Sequence, residues 1–244
     1  MKRVMRFFVT HKLGTTEPTT VELPSAELMQ AMGALVGEAM RSGAMENGAG
    51  LTPKSPRTRL TANGGVVVEQ HGPLSGTNEL LAAFAMITVK DKPHGLQVAH
   101  TYAKAVGDCT LELGRVTEPW DLGMVPPPTT PVPEKYLLLH MADAASEGGA
   151  VANARAASLL AELGKQGIVT AHGSVKPSRE ARRLKFKGGA RTTVIDGPFA
   201  ESKELISGFC MLKLASMEDA VAWATRYGAI LKDLEVDVLV LPDA

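Results

Sequence analysis

The chain has 244 residues, of which 45% are hydrophobic but only 5% aromatic, so aliphatic side chains must fill most of its core. That length exceeds one typical domain and predicts two. Lysine plus arginine and aspartate plus glutamate both number 26, which argues against the strong positive field of a dedicated nucleic-acid or anionic-membrane binder.

The first stretch, residues 1–116, contains alternating and helical hydrophobic patterns that predict a mixed α+β unit. In chain order we expect a strand at 5–10, a helix whose apolar stripe includes Leu28, Met32 and Val36, a hairpin at Gly64-Gly65, a strand at 80–89, a helix carrying Val98 and Tyr102, and a strand at 110–116.

Residues 117–134 carry six prolines, which deny backbone donors to helix and sheet. We interpret this segment as a linker. The remainder, residues 135–244, repeats the order of the first stretch. We expect strands at 135–141, 168–175, 209–214 and 236–241, a helix ending at Gly167, a hairpin at Gly188-Gly189 and a helix capped by Ser216.

The repeat predicts two homologous ferredoxin-like domains, each with helices on one face of its sheet. The bare faces of the two sheets can cover each other, which predicts a pseudo-symmetric α+β barrel holding a small-molecule pocket. The two copies then pair within one chain as a monomer, although a homodimer is the alternative.

The letters DGPFAESKE at positions 196–204, followed by the strand GFCML, resemble the signature of the DGPF-motif branch of the YCII-related family. The resemblance covers residues 135–241. The first copy resembles the same family over residues 5–116, with its motif degenerated to HGPLSGTNE at 71–79. The resemblance implies a dimeric α+β barrel, a cytoplasmic bacterial setting and, for most members, no established reaction.

The resemblance also implies that, in the simpler YCII branch, a histidine in the first helix and an aspartate near the end of that helix form an acid–base pair. Those positions fall near Ala156 and Lys165 in the second copy and near Met32 and Arg41 in the first. Both copies lack the pair, so its chemistry does not transfer.

Asp196 is either a residue that pins its turn or a base whose pKa is raised by burial and by like charges. His11 and His140 end matching strands, where we expect them to face the barrel interior as catalytic partners or to be packed structurally. Ligand contacts are expected from four further residues, namely His71, Glu201, Lys203 and Glu204.

No metal-binding pattern is recognisable, and neither a metal nor another cofactor is expected. Seven cations at 176–191 could form an anion or nucleic-acid patch, but a solvated hairpin is the simpler interpretation and no nucleic-acid partner is expected. The basic start is interrupted by Arg6 and lacks a signal-peptide core, which predicts a cytoplasmic protein outside membranes.

Two functions stay open. The first is binding of a small anionic or hydroxylated organic molecule between the sheets, with metal-free isomerase or lyase chemistry if the protein is an enzyme. The alternative, which rests on the family resemblance, is a non-catalytic regulatory or protein-interaction module linked to sigma factors. A purely structural role is a third interpretation.

Overall fold

The computed structural model describes residues 4–12, 14–18, 22–143, 154–200 and 202–242. Its four helices are α1 (Ala26–Arg41), α2 (Lys92–Val106), α3 (Ala154–Lys165) and α4 (Met217–Leu231). Its strands are β1 (Met5–Lys12), β2 (Met45–Gly50), β3 (Thr58–Asn63), β4 (Val66–His71), β5 (Leu80–Val89), β6 (Cys109–Arg115), β7 (Glu134–Ala142), β8 (Val169–Ser174), β9 (Arg182–Lys187), β10 (Ala190–Asp196), β11 (Ile206–Leu214) and β12 (Leu234–Val240).

The strands form two antiparallel sheets of six strands each, so the α+β prediction is confirmed. Sheet 1 has the order β10-β9-β12-β1-β11-β2, and sheet 2 has the order β4-β3-β6-β7-β5-β8. The four strands β12-β1-β11-β2, and likewise β6-β7-β5-β8, have an arrangement compatible with a ferredoxin-like domain.

Each sheet takes strands from both sides of the Pro-rich segment. Strands β1 and β2 lie in sheet 1 with β9 to β12, whereas β7 and β8 lie in sheet 2 with β3 to β6. This strand exchange differs from our expectation that each copy forms a sheet of its own. Strand β1 lies between β11 and β12, with Phe7 opposite both Leu212 and Val240.

Three apolar cores separate four layers. Helices α1 and α4 cover one face of sheet 1, and α2 and α3 cover one face of sheet 2. The third core lies between the sheets, where Phe8 stacks on Phe84 and on Phe209 with ring centroids 4.0 and 5.3 Å apart. Stacked aromatic rings therefore fill much of the space between the sheets, where the sequence predicted a ligand pocket.

The local sequence signals correspond to the observed elements. Ser216 caps α4 by accepting a hydrogen bond from the Asp219 amide, which satisfies a donor that the first helical turn leaves unpaired. Gly188 and Gly189 both have positive φ, as a two-residue hairpin turn requires. The two hairpins and the capped helix agree with the sequence predictions.

The Pro-rich segment packs closely against the rest of the molecule near its start. Asp121 is buried, accepts a hydrogen bond from the Glu118 amide and forms an ion pair with Arg115. The Lys54 ammonium donates to the Asp121 carbonyl oxygen over 2.7 Å. Residues 118–121 are therefore anchored to the body of the protein, in addition to connecting its two halves.

Candidate ligand-binding site

The two strand-end histidines face the helices. On β1, Phe7 and Val9 pack against α1 and α4, and His11 continues the same face because side chains alternate along a strand. On β7, His140 shares its face with Leu138, which packs with α2 and α3. The expectation that both histidines face the space between the sheets is wrong, because Phe8 and Leu139 occupy the alternate positions there.

His11 forms a buried polar pair with a residue of α4. Its Nδ1 lies 2.6 Å from the Tyr227 hydroxyl, and both side chains are buried. Burial, followed by the positive charge of Arg57, lowers the pKa of His11 to about 4. Burial also raises the pKa of Tyr227 well above its usual value. Both groups are therefore uncharged near neutral pH.

The thiol of Cys210 completes this polar group. It interacts with the Tyr227 hydroxyl, and burial raises the pKa of the thiol to about 12. A thiol that stays protonated is a poor nucleophile. Cys210 therefore contributes polarity and shape to the site.

His140 has a matching partner in the other half of the molecule. Its Nδ1 lies 3.4 Å from the Tyr102 hydroxyl of α2, and burial lowers the pKa of His140 to about 4. Each pair joins a histidine from one half to a tyrosine from the other half. The strand exchange creates this arrangement because it brings β1 to α4 and β7 to α2.

A pocket of about 470 Å³ opens above the His11–Tyr227 pair, and we call it the α1 pocket. One wall is the apolar stripe of α1, another is the start of the Pro-rich segment, and the floor is strand β2. Its apolar lining residues include Leu28, Met29, Met32, Val36, Ala49, Pro119, Leu122 and Met124, and Glu22, Lys54, Glu118 and Asp121 are the charged residues in its lining. This volume is within the range of small-molecule sites.

Glycines make room for the polar pair at the base of the pocket. A Cβ on Gly208 would overlap the His11 ring, and a Cβ on Gly48 would crowd the Cys210 sulfur at 3.1 Å. The position of the His11 ring therefore requires a glycine at position 208 of the adjacent strand, whereas the closest overlap of a Cβ on Gly48 would be with the Met45 side chain.

The end of the DGPF motif contacts a buried ion pair on the face of sheet 1 that is opposite to the α1 pocket. Arg183 donates from Nε and Nη2 to the two carboxylate oxygens of Asp237, over 2.7 and 2.9 Å. Its Nη1 donates to the Ala200 carbonyl oxygen, and its guanidinium lies 4.3 Å from the centre of the Phe199 ring. The motif loop is thereby held against the sheet.

The first half contains a matching arrangement. Arg59 is ion-paired with the buried Glu112 and donates from Nη1 to the Ser75 carbonyl oxygen over 3.1 Å. Ser75 directly follows the HGPL segment, just as Ala200 directly follows the DGPF segment. In both halves, an arginine therefore donates a hydrogen bond to the backbone of the motif segment. An acidic residue on the neighbouring strand holds that arginine in place.

The two segments also meet each other between the sheets. The Ser202 amide donates to the Glu79 carbonyl oxygen over 3.3 Å, and a Cβ on Gly76 would overlap the Lys203 backbone. Glu79 and Glu204 line one cavity of about 20 Å³ there, and burial raises the pKa of each carboxyl. A cavity of this size has room for about one water molecule.

Asp196 does not lie with either histidine. It is exposed at the end of β10, where its Oδ1 is 2.7 Å from the Arg182 Nε. Three strand spacings of about 4.8 Å separate β10 from β1, which carries His11. His140 belongs to the other sheet. The structure therefore does not assemble Asp196, His11 and His140 into one group.

The remaining predicted ligand residues are dispersed. His71 is exposed, with Nδ1 3.1 Å from the Thr58 hydroxyl, and Lys203 is exposed on the motif loop. Glu204 is half-buried beside the cavity between the sheets. Glu201 lies outside the described residues.

Acidic side chains pair with several cations of the basic stretch at 176–191. Lys176 pairs with Glu180, Arg182 with Asp196, Arg183 with Asp237, and Lys185 with Glu235. These four pairs compensate part of the positive charge of the stretch, and β9 and β10 form the expected hairpin.

Sequence reasoning missed Tyr102, Tyr227 and Cys210 as members of the polar groups. The two tyrosines occupy corresponding positions in the second helix of each half, which was the available signal. Which strand each helix covers depends on the exchange, so the pairing of tyrosine with histidine could not be read from one copy.

The described residues contain no group of three or more histidine, cysteine, aspartate or glutamate side chains suited to hold a metal ion. Among the same residues, no helix has both the length and the apolar character needed to cross a membrane.

Comparison with known proteins identifies a YCII-related domain at residues 135–242. An uncharacterised protein of Rhizobium meliloti is 40% identical over 63 residues, which are 26% of this chain and 48% of that protein. The chain therefore spans about half the length of this curated relative. No solved structure gives a significant match.

Proposed function

We propose that the protein binds a small, mainly apolar organic molecule carrying a hydroxyl or carbonyl group in the α1 pocket. The observation that carries this proposal is the uncharged His11–Tyr227 pair at the base of a pocket whose walls are otherwise largely apolar. Such a combination suits a ligand with one polar group, because apolar walls provide affinity and a few polar groups fix orientation.

The composition of the α1 pocket supports this ligand class. Met29, Met32 and Met45 line it, and methionine side chains adapt to irregular apolar shapes. An imidazole held neutral can donate from one ring nitrogen and accept at the other. A hydroxyl or carbonyl group can therefore pair with the base of the pocket without bringing a charge into it.

The electrostatics favour binding over acid–base catalysis at this site. A general base works best when its pKa lies near the working pH, and the pKa of His11 is about 4. His11 is therefore a weak base at neutral pH. Our proposal accordingly assigns it the role of a hydrogen-bonding partner to the ligand.

We further propose that residues 1–116 are a degenerate second copy of the YCII-related domain and that residues 135–242 belong to its DGPF branch. The matched Arg59–Glu112 and Arg183–Asp237 pairs support the duplication. The apolar core between the two sheets supports a barrel-like pairing of the copies within one chain. The cytoplasmic setting stays a prediction.

The test of the ligand proposal is isothermal titration calorimetry with 2-naphthol and with acetophenone, each compared with naphthalene. Four proteins are needed: the wild type, Tyr227→Phe, Met32→Trp to fill the pocket, and Tyr102→Phe as the matched control in the other half. Saturation at 100 times the dissociation constant should add about 2.7 kcal/mol to the unfolding free energy, which provides a second readout.

We expect 2-naphthol or acetophenone to bind the wild type and Tyr102→Phe with similar affinity. Tyr227→Phe should weaken binding at least tenfold, and Met32→Trp should abolish it while the protein remains folded by circular dichroism. Equal binding to the wild type and Met32→Trp, or no binding of either polar probe, would reject the α1 pocket as the site.

A further inference from the structure

A second pocket, of about 300 Å³, lies beneath helix α3. It occupies the position in sheet 2 that the α1 pocket occupies in sheet 1, since Tyr102 and Phe84 line it where Tyr227 and Phe209 line the other. We call it the α3 pocket. Its described lining residues are Arg6, Ala83, Phe84, Tyr102, Ala156, Ala157, Leu160, His172, Gly173, Ser174, Leu241 and Pro242.

The two pockets differ in charge. Among the described lining residues of the α3 pocket, Arg6 carries a positive charge, His172 adds an imidazole, and none is acidic. The α1 pocket has Glu22, Glu118 and Asp121 among its lining residues, with one basic neighbour in Lys54 besides the neutral His11. The α3 pocket is therefore the one whose charge suits an anion.

The positive charge of Arg6 is only partly compensated. Its Nε lies 3.0 Å from Glu46, but the same carboxylate is 2.7 Å from the Lys213 ammonium. Two cations thus share one anion, which leaves a net positive charge at the edge of the pocket. The Arg6 side chain is 29% exposed and so remains accessible to a ligand.

Two neutral donors complete the polar side. Burial raises the pKa of Tyr102 to about 12, so its hydroxyl keeps its proton, and its distance of 3.4 Å to His140 makes that hydrogen bond a weak one. Ser174 adds a second hydroxyl on β8. Leu160, Phe84 and Leu241 supply an apolar surface beside these groups.

We infer that the α3 pocket binds a small organic carboxylate, with its carboxylate toward Arg6 and His172 and its apolar body against Leu160 and Phe84. An arginine guanidinium matches a carboxylate in geometry and charge, and its hydrogen bonds to an ionised group are stronger than neutral ones. This second site is independent of the ligand proposed for the α1 pocket.

The test uses benzoate and its uncharged amide, benzamide, as probes on the full chain. Binding is followed by two-dimensional NMR of the ¹⁵N-labelled protein, which reports both affinity and location. The variants are Arg6→Gln, which also removes the ion pair with Glu46, and His172→Asn, which changes an exposed side chain and should disturb the fold less. Lys165→Gln, at an exposed cation on the same helix as Leu160, is the matched control.

We expect benzoate to shift the amides of β8 and α3 and to bind at least tenfold more tightly than benzamide. Arg6→Gln and His172→Asn should each weaken benzoate several-fold, and Lys165→Gln should leave its affinity unchanged. Equal affinity for benzoate and benzamide, shifts confined to other regions, no shift at millimolar benzoate, or unchanged affinity in both pocket variants would overturn the inference.

Discussion

The Tyr227 hydroxyl and the His11 imidazole share a 2.6 Å hydrogen bond across 216 residues of chain. The tyrosine belongs to α4 of the second half and the histidine to β1 of the first half. The pair exists because β1 lies between β11 and β12, beneath α4. The base of the α1 pocket is therefore a product of the strand exchange.

The lowered histidine pKa predicts a stability loss on mild acidification. The pKa of His11 is about 4 in the folded state and 6.5 ordinarily. Between pH 6.5 and pH 4, the unfolded chain therefore binds a proton at His11 and the folded chain does not. The contribution of His11 to the unfolding free energy is fully present above pH 6.5 and is lost as the pH falls toward 4. The unfolding free energy should therefore decrease by about 2 kcal/mol between pH 7.5 and pH 5.

Urea unfolding of wild type and His11→Gln at both pH values measures this term. The raised pKa values of Glu79 and Glu204 act in the opposite direction but are common to both proteins. The variant should therefore lose less stability than the wild type on acidification, by about 2 kcal/mol. Parallel pH profiles in the two proteins would show that His11 ionises freely in the fold.

Gly208 is predicted to be essential for the position of His11. Gly208→Ala would place a Cβ in the space of the imidazole ring, and this overpacking should cost about 1–3 kcal/mol. The matched control is Gly33→Ala on the exposed side of α1, where a Cβ meets nothing within 4 Å. That change should stabilise the helix by about 0.5–1 kcal/mol.

Thermal unfolding of both glycine variants distinguishes the two effects. We expect a lower melting temperature for Gly208→Ala, accompanied by loss of 2-naphthol binding, and an equal or higher one for Gly33→Ala. A Gly208→Ala protein with wild-type stability and binding would mean that the His11 ring does not occupy the described position.

The Arg183–Asp237 pair is predicted to be a principal stabilising element around the DGPF motif. Arg183→Met removes one of the two cations that pair with the buried Asp237 among the described residues, the other being Lys12. Because Lys12 still compensates the carboxylate, we expect a loss of about 3 kcal/mol, the lower end of the cost of breaking a buried ion pair. The control is Arg226→Gln, which breaks the exposed ion pair with Glu38 between α1 and α4. Exposed pairs contribute little because water and salt screen them.

Chemical denaturation at low and high salt provides the measurement for both arginine variants. Arg183→Met should be strongly destabilised at either salt concentration, whereas Arg226→Gln should remain close to wild type. If Arg183→Met matched Arg226→Gln, the buried pair would not be what fastens the motif loop to the sheet.

Much of the secondary structure could be predicted from one sequence because its signals are local. The cap at Ser216, the Gly188-Gly189 turn and the apolar stripe of α1 each depend on neighbouring residues. The pairing of the sheets was not accessible in this way. Since the two halves repeat the same pattern, β1 can pair with β5 of its own half or with β11 of the other half in equivalent registers.

The candidate site was predictable only in part for the same reason. His11 and His140 were recognised as matching residues, but the face to which His11 points depends on whether Phe7 or Phe8 faces the second sheet. Both positions are aromatic, so alternation alone could not decide. Buried charges such as Arg59 and Glu112 gave no sequence signal, because their burial follows from tertiary pairing.

Disulfide trapping of β1 tests the strand exchange most directly. Met5 lies opposite Leu214 of β11, and paired positions in neighbouring strands are close enough for a disulfide. Val89 of β5 holds the position that corresponds to Leu214, so Met5→Cys/Val89→Cys would form the bond if each half built its own sheet. Both double variants are oxidised under native conditions and read by mass spectrometry of tryptic peptides.

We predict rapid and complete cross-linking in Met5→Cys/Leu214→Cys and none in Met5→Cys/Val89→Cys. The reverse result would contradict the exchange, and with it a pocket built from His11 of one half and Tyr227 of the other.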